Sequence, residues 1–376
     1  MTHAGIDHDF FGGSIEVLRV PRRGDVELAL RGDSAASISQ WFCFDVEDAS
    51  AGTRRLILRD VAGATYPSGF DDYAAMASTD GRRWRHVPTE LDGDDLCILH
   101  EPRAQRTRYA YFATYPLERV EESLTRLVRR TRGVVNDGIR SAEDRPVYVA
   151  SVGNEEAPRT MWIVAAQHPG ETPALWFLHG LMKRLRTRDS VVEELLHHTR
   201  IHLVPLVNPD GAFLGNMRTS ATGADLNRAW AEPCWDESPE VAGLGELIDS
   251  GRVDLFIDVH ADEDSSFAFP SGCEGNPSFD DEQGEAERAF REDLAGAIAE
   301  FIDEPVYGDD APGEADLTCG ANHVGERHGC VALTLELPIK SQGGGIVRKG
   351  WSPIRAARAG AGLVDALLAA RTRMDG

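Results

Sequence analysis

Two histidines and a glutamate stand in this chain where they could share a metal ion. In the run AAQHPGET an apolar segment delivers His168, Pro169-Gly170 predicts a tight turn, and Glu171 opens the next helix. An imidazole and a carboxylate three positions apart across such a turn can point at one spot. Two ligands do not close a zinc site, and FIDVHADED offers a third in His260, again at the end of an apolar segment. Two His and one Glu leave a fourth position for water, the pattern of a catalytic rather than a structural zinc. HEXXH is absent, so the helical protease site is excluded, and the absence of GxSxG removes the usual serine-hydrolase elbow.

Next comes NPDGAFLGNMRTSATGADLNRAW, with Asn208 at a strand end, then Arg218, Asp225, Asn227 and Arg228. An arginine beside a zinc site can grip a carboxylate with its planar fork or stabilise the oxyanion of a tetrahedral intermediate. Two arginines ten residues apart could fill both roles. In VALTLELP, Glu336 interrupts an apolar strand, where a carboxylate is costly unless it works or is paired. Burial raises the pKa of such a carboxyl toward the range a general base needs. Asp258 shares a face with His260, and either an orienting role or a local cap fits it.

The elements that must position these residues divide in two. Six alternating segments, 14–20, 25–31, 40–47, 54–61, 94–101 and 108–115, predict an antiparallel β-sandwich over residues 1–115. From Pro116 onward strands and helices alternate. Helices are expected at 117–132, 172–188, 238–250, 280–302 and 352–370, and strands at 146–152, 160–167, 201–207, 253–259 and 331–337. That grammar predicts an α/β domain over residues 116–376, with a mixed, largely parallel sheet between helices. His168, Asn208, His260 and Glu336 then gather at or near the carboxyl ends of strands, the edge where α/β sheets form sites. Phe290, Leu294, Ile298 and Phe301 fall on one face of the 280–302 helix. The acidic runs 262–264 and 280–282 read as solvated surface, and Gly360-Ala361-Gly362 lies inside the last helix without a preceding strand.

Composition narrows the classes further. The chain of 376 residues carries 62 acidic and 39 basic residues, a formal charge of −23. A field of that sign repels nucleic acid and anionic membranes, so neither is an expected partner. The amino terminus, MTHAGIDHDFF, lacks the features of a secretory signal, and no apolar stretch is long enough to span a bilayer. Six dispersed cysteines without a CxxC pair point to a cytoplasmic protein with mostly buried thiols.

Taken together, His168-Pro-Gly-Glu171, NPDG…R…DLNRxW, His260 after its apolar strand and Glu336 in TLELP resemble the M14 zinc metallocarboxypeptidases. The cytosolic carboxypeptidase branch is the most similar, since there a β-sandwich and a YFATYP-like junction precede the catalytic domain. The resemblance implies one zinc ion held by His168, Glu171 and His260, with Glu336 as general base and then acid. Arg218 would polarise the scissile carbonyl, Asn227 and Arg228 would grip the free α-carboxylate of a peptide, and Asp225 would orient His168. It implies hydrolysis of the C-terminal peptide bond, and the branch includes enzymes that release C-terminal or branched glutamate. Many M14 members carry a mobile tyrosine some twenty residues before the catalytic glutamate. Residues 311–320, APGEADLTCG, hold none, and Tyr307 is the nearby candidate, with His323 and His328 as alternatives. A zinc deacylase of N-acyl amino acids and an inactive module that binds peptide C termini remain as other readings.

Overall fold

The computed structural model describes residues 5–47, 52–101, 104–304, 306–308, 310–340 and 350–375. The first four residues of the amino-terminal stretch read above lie outside them. Two five-stranded sheets make up the amino-terminal part. One contains Cys43–Val46, Thr107–Ala110 and Met76–Ser78, and the other Val26–Ala29, Arg54–Arg59 and Asp95–His100. Alternation drives their packing: Val26 and Leu28 are buried while Glu27 between them is partly exposed. Phe42, Phe44, Leu56, Leu58, Ile98 and Tyr109 meet in one core between the sheets. The pairing departs from the all-antiparallel expectation in one place, where Val26–Ala29 runs parallel to Arg54–Arg59. The chain between them crosses to the other sheet to form Cys43–Val46, and a crossover of that length permits a parallel return.

A seven-stranded sheet follows. Its order is Val134–Arg140, Pro146–Gly153, Thr199–Val204, Arg159–Ala165, Leu255–Asp262, Val331–Pro338 and Phe269–Ser271. The four central strands from Thr199–Val204 to Val331–Pro338 are parallel, and the strands added at both edges are antiparallel. Successive residues feed opposite faces. Met161, Ile163, Leu255, Ile257, Leu333 and Leu335 face the core shared with helices Leu117–Thr131, Thr172–Leu185, Asp281–Ala297 and Pro353–Met374. Trp162, Val164, Phe256 and Ala332 face the smaller core under helices Pro239–Asp249 and Gly320–His328. The result is a mixed sheet between two helical layers.

Local signals explain the helix limits. Asp280 and Gln283 form a reciprocal capping box that opens Asp281–Ala297, so part of the acidic run at 280–282 is a cap. Phe290, Leu294, Ile298 and Phe301 are all buried, although the last two lie just beyond the helix. Gly180 and Gly360 let helices Thr172–Leu185 and Pro353–Met374 touch backbone to backbone. A Cβ on Gly180 would stand 1.8 Å from the Ala357 carbonyl oxygen, and one on Gly360 1.9 Å from that of Phe177. Close helix packing therefore accounts for the glycines at 360–362. Short elements without long periodic patterns were not foreseen, among them strand Phe269–Ser271 and helices Ser190–His198, Pro209–Leu214 and Gly320–His328.

Glu240, in the first turn of Pro239–Asp249, is fully buried, and neither carboxyl oxygen has a hydrogen-bond partner among the described residues. Burial, helped by the charge of Asp210, pushes its pKa from 4.5 up to about 7. An acid whose pKa is raised on folding binds more protons in the native state. Its stabilisation is complete below the unfolded pKa and is lost as pH rises through the folded one. Glu240→Gln removes this linkage, so its stability relative to wild type should grow between about pH 5 and about pH 8, by up to about 3 kcal/mol. Chemical denaturation at both pH values measures this, and a pH-independent difference would contradict it.

Candidate active site

Each proposed metal ligand reaches the site by a different local device. Strand Arg159–Ala165 ends earlier than the sequence suggests, because Ala166 adopts a left-handed conformation (φ 55°) that turns the chain toward Gln167 and His168. Gly170 then lets the loop press on Met217, where a Cβ would lie 2.5 Å from the Met217 sulfur. Glu171 precedes helix Thr172–Leu185, and its side chain turns to the histidines rather than capping that helix. His260 lies inside a strand that runs on to Asp262, not at its end. Parallel register sets His260 beside Glu336 and Asp258 beside Thr334.

These side chains converge. His168 Nδ1 is 2.7 Å from Glu171 Oε1, His260 Nδ1 is 2.9 Å from Glu171 Oε2, and the two Nδ1 atoms are 3.2 Å apart. Behind them, His168 Nε2 meets Asp225 Oδ1 at 3.0 Å and His260 Nε2 meets Asp258 Oδ2 at 3.0 Å. A carboxylate only accepts hydrogen bonds, so both Nε2 atoms carry the proton. In neutral rings this leaves two Nδ1 lone pairs facing each other and the Glu171 oxygens. Lone pairs repel at that spacing unless a positive centre lies among them. Burial opposes charge on His260, yet Asp258 and Glu171 on its two sides push its pKa well above the usual value. Burial likewise opposes ionisation of Glu171, and the two histidines hold it ionised. Two imidazole nitrogens, each ring backed by an orienting acid, and one carboxylate suit a zinc ion. Among the described residues this is the one such cluster of His, Cys, Asp or Glu.

Around that cluster stand the other residues singled out above. Glu336 is buried, its Oε2 has no hydrogen-bond partner among the described residues, and burial pushes its carboxyl up to about 8. Arg218 donates from Nε to Asp225 Oδ2 at 2.7 Å and from Nη1 to the Tyr66 hydroxyl at 3.0 Å. Burial alone would lower the Arg218 pKa, but Asp225 outweighs it and keeps the guanidinium charged. Asn227 is buried with its Oδ1 accepting from the Gly320 amide at 2.7 Å, and its Nδ2 lies 3.5 Å from His260 Nε2. Arg228 is half-exposed, bonded to the Asn227 carbonyl, with its Nε 3.4 Å from Asp316 Oδ2. Asn208 joins the loops, donating to the Gln167 carbonyl and accepting from the Gly211 amide.

Several neighbours whose roles the sequence left open are placed by their contacts. Asp258 orients His260 and also accepts from Gln167, whose Oε1 takes the Trp230 indole N–H at 2.8 Å. Its position two residues before His260 was the available signal. Glu263 is buried rather than solvated as expected for the 262–264 run, and burial raises its pKa well above the usual range. Tyr307 donates to Asp262 Oδ2 at 2.8 Å and sets its ring edge-on to Phe269, the register partner of Glu336. His328 pairs with Asp249 and His323 rests against Trp230.

Residues 134–344 match the family described as zinc carboxypeptidase, and residues 6–112 match the cytosolic carboxypeptidase N-terminal domain. The chain belongs to the M14 zinc carboxypeptidase family. A metallo-carboxypeptidase of Burkholderia cenocepacia is 35% identical, with 98% of this chain and 99% of that one covered and a TM-score of 0.93. The metallo-carboxypeptidase of Pseudomonas aeruginosa, solved with (2-guanidinoethylmercapto)succinic acid, is 36% identical at a TM-score of 0.90, covering 98% and 99%. Mouse cytosolic carboxypeptidase 6 is 24% identical over 288 residues, 69% of this chain and 53% of the mouse protein, so the chain spans about half its length. This zinc carboxypeptidase therefore combines a β-rich amino-terminal domain of the cytosolic type with an M14 catalytic fold.

Removing the acid behind a zinc histidine typically weakens the metal about 10- to 100-fold. Asp258→Asn keeps the shape of the side chain but makes it a poorer acceptor for His260 Nε2–H. Zinc affinity should fall by about that factor in competition against a chromophoric chelator. Unchanged affinity would show that His260 is oriented by something else.

Proposed function

We propose that this zinc carboxypeptidase hydrolyses the C-terminal peptide bond of peptides or protein tails. In this reading residues 1–115 form the amino-terminal module and residues 116–376 the catalytic domain. One zinc ion is held by His168, Glu171 and His260, with Asp225 and Asp258 fixing the two rings. Bound there, zinc supplies Lewis acidity toward a water molecule and the scissile carbonyl. Glu336 takes a proton from the attacking water and returns it to the leaving amine, work that suits a buried carboxyl whose pKa stands near neutrality. Arg218 donates to the carbonyl oxygen as negative charge builds on it. Asn227 and Arg228 hold the terminal carboxylate. A succinate ligand of the kind bound by the Pseudomonas enzyme carries two carboxylates, which a metal and such a clamp could divide between them.

The convergence of two Nδ1 atoms and one carboxylate beside an unpartnered, buried Glu336 carries this reading. We further propose glutamate as a released residue, following the branch resemblance, and a cytoplasmic setting, which the six unpaired cysteines support. No helix among the described residues is long and apolar enough to cross a membrane.

Glu336→Gln should lower kcat by about 10³-fold or more while zinc content stays at one per chain; unchanged turnover would remove Glu336 from the chemistry. Peptides ending in Glu, Lys, Leu or Phe, each with a C-terminally amidated twin, test the rest. The free acids should be cleaved and the amides should resist, whereas equal cleavage of both would rule out the carboxylate clamp. Hydrolysis of N-acyl amino acids with no peptide cleavage would make the enzyme a deacylase.

A further inference from the structure

The amino-terminal domain reaches into the catalytic site at one side chain. Tyr66 lies before the short helical turn Pro67–Phe70, and its hydroxyl oxygen accepts the Arg218 Nη1–H at 3.0 Å. Its position is held twice. Gln40, completely buried, clamps the Tyr66 backbone by accepting from its amide and donating to its carbonyl, each at 3.0 Å. Asp33, also buried and also from this domain, grips the chain on either side of the Arg218 Cα. Its carboxylate accepts from the backbone amides of Met217 (2.6 Å), Arg218 (2.9 Å) and Thr219 (2.8 Å). Arginine and tyrosine are therefore fixed against each other by two carboxamide and carboxylate anchors from outside the α/β fold.

A phenol that accepts from a guanidinium has spent an oxygen lone pair and still carries its own proton. Among the described residues no acceptor is assigned to that proton. Tyr66 is only partly buried, so the proton can be directed outward beside the Arg218 guanidinium. The neighbouring positive charge strengthens the phenol as a donor, since it favours electron density leaving the hydroxyl.

We propose that Tyr66 is a catalytic residue of this enzyme, donating a second hydrogen bond, alongside Arg218, to the carbonyl oxygen of the scissile bond as it becomes an oxyanion. The inference rests on the proposed placement of Arg218 at that oxygen. No proton is transferred from Tyr66, and its hydrogen bond shortens as charge develops. The amino-terminal domain is thereby part of the reaction site and not only a frame around it.

Tyr66→Phe removes one oxygen from a partly exposed ring and should leave the melting temperature of the zinc-loaded protein unchanged. On a cleaved peptide, kcat should fall by about 10²-fold, the usual cost of one oxyanion donor, with KM changed by less than about threefold. Calorimetry with a phosphonate analogue of the same peptide should show its affinity falling by the same factor as kcat/KM. Affinity for the released amino acid, which lacks the tetrahedral oxygen, should not change. A purely structural tyrosine would not separate the two ligands in this way. Unchanged kcat/KM, or a lost rate with phosphonate affinity intact, would overturn the proposal. A wild-type enzyme that cleaves no free-acid peptide would instead sink the functional reading, and this inference with it.

Discussion

Three acids around two buried imidazole rings form the interaction on which the rest of this site depends. Asp225, Asp258 and Glu171 use both nitrogens of each ring, and of the five side chains all but Asp225, 21% exposed, are buried. Burying carboxylates is costly unless positive charge compensates them. The site therefore stores a demand for a cation, which a divalent metal meets in one step. Arg218 answers part of the same demand, since Asp225 divides its two oxygens between His168 and the guanidinium. His168 and Arg218 are thus coupled through a single carboxylate, and a change in one shifts the electrostatics of the other.

The scaffold's contribution is register. Parallel pairing at the centre of the sheet brings His260 level with Glu336 and Asp258 level with Thr334 without any loop having to find them. The two-residue period then places Asp258 and His260 on one face, so the imidazole and the acid that orients it come from the same strand. The His168 loop is positioned by stiffer means: left-handed Ala166, Gly170 pressed on Met217, and Asn208 tying the loop to the next strand's end. Antiparallel strands are added only at the edges, and the parallel centre carries His260 and Glu336.

Much of this was legible because the signals were local. His168 and Glu171 are separated by a turn, Glu336 interrupts an apolar run, and Asp225, Asn227 and Arg228 crowd one short stretch. The parallel pair in the amino-terminal domain was not legible, since direction depends on where the chain travels between strands and not on alternation within them. Glu263 misled for a related reason: an acidic run reads as surface until another domain covers it, and Gly69 of the β-rich part lies against its Cβ. Tyr66, Gln40 and Asp33 carry no motif at all. They acquire meaning only through contacts with residues more than 100 positions away or, for Gln40, through holding one that makes such a contact.

The two arginines also separate on physical grounds that spacing alone could not supply. Arg218 has a side chain 22% exposed and is fixed by Asp225, Tyr66 and the Asp33 grip on its backbone. Arg228 is 47% exposed and shares a longer, half-exposed contact with Asp316. A donor that must meet charge developing at one point gains from being fixed beforehand, because reorganisation during the reaction adds to the barrier. A group that must accept the ends of different substrates gains from freedom to adjust. Under the proposed roles the fixed arginine stands where precision matters and the more exposed one where variety does. The net charge of −23 acts in a different register. It disfavours the approach of anions at low salt, but close to the fixed guanidinium the local charge outweighs a distant and screened field.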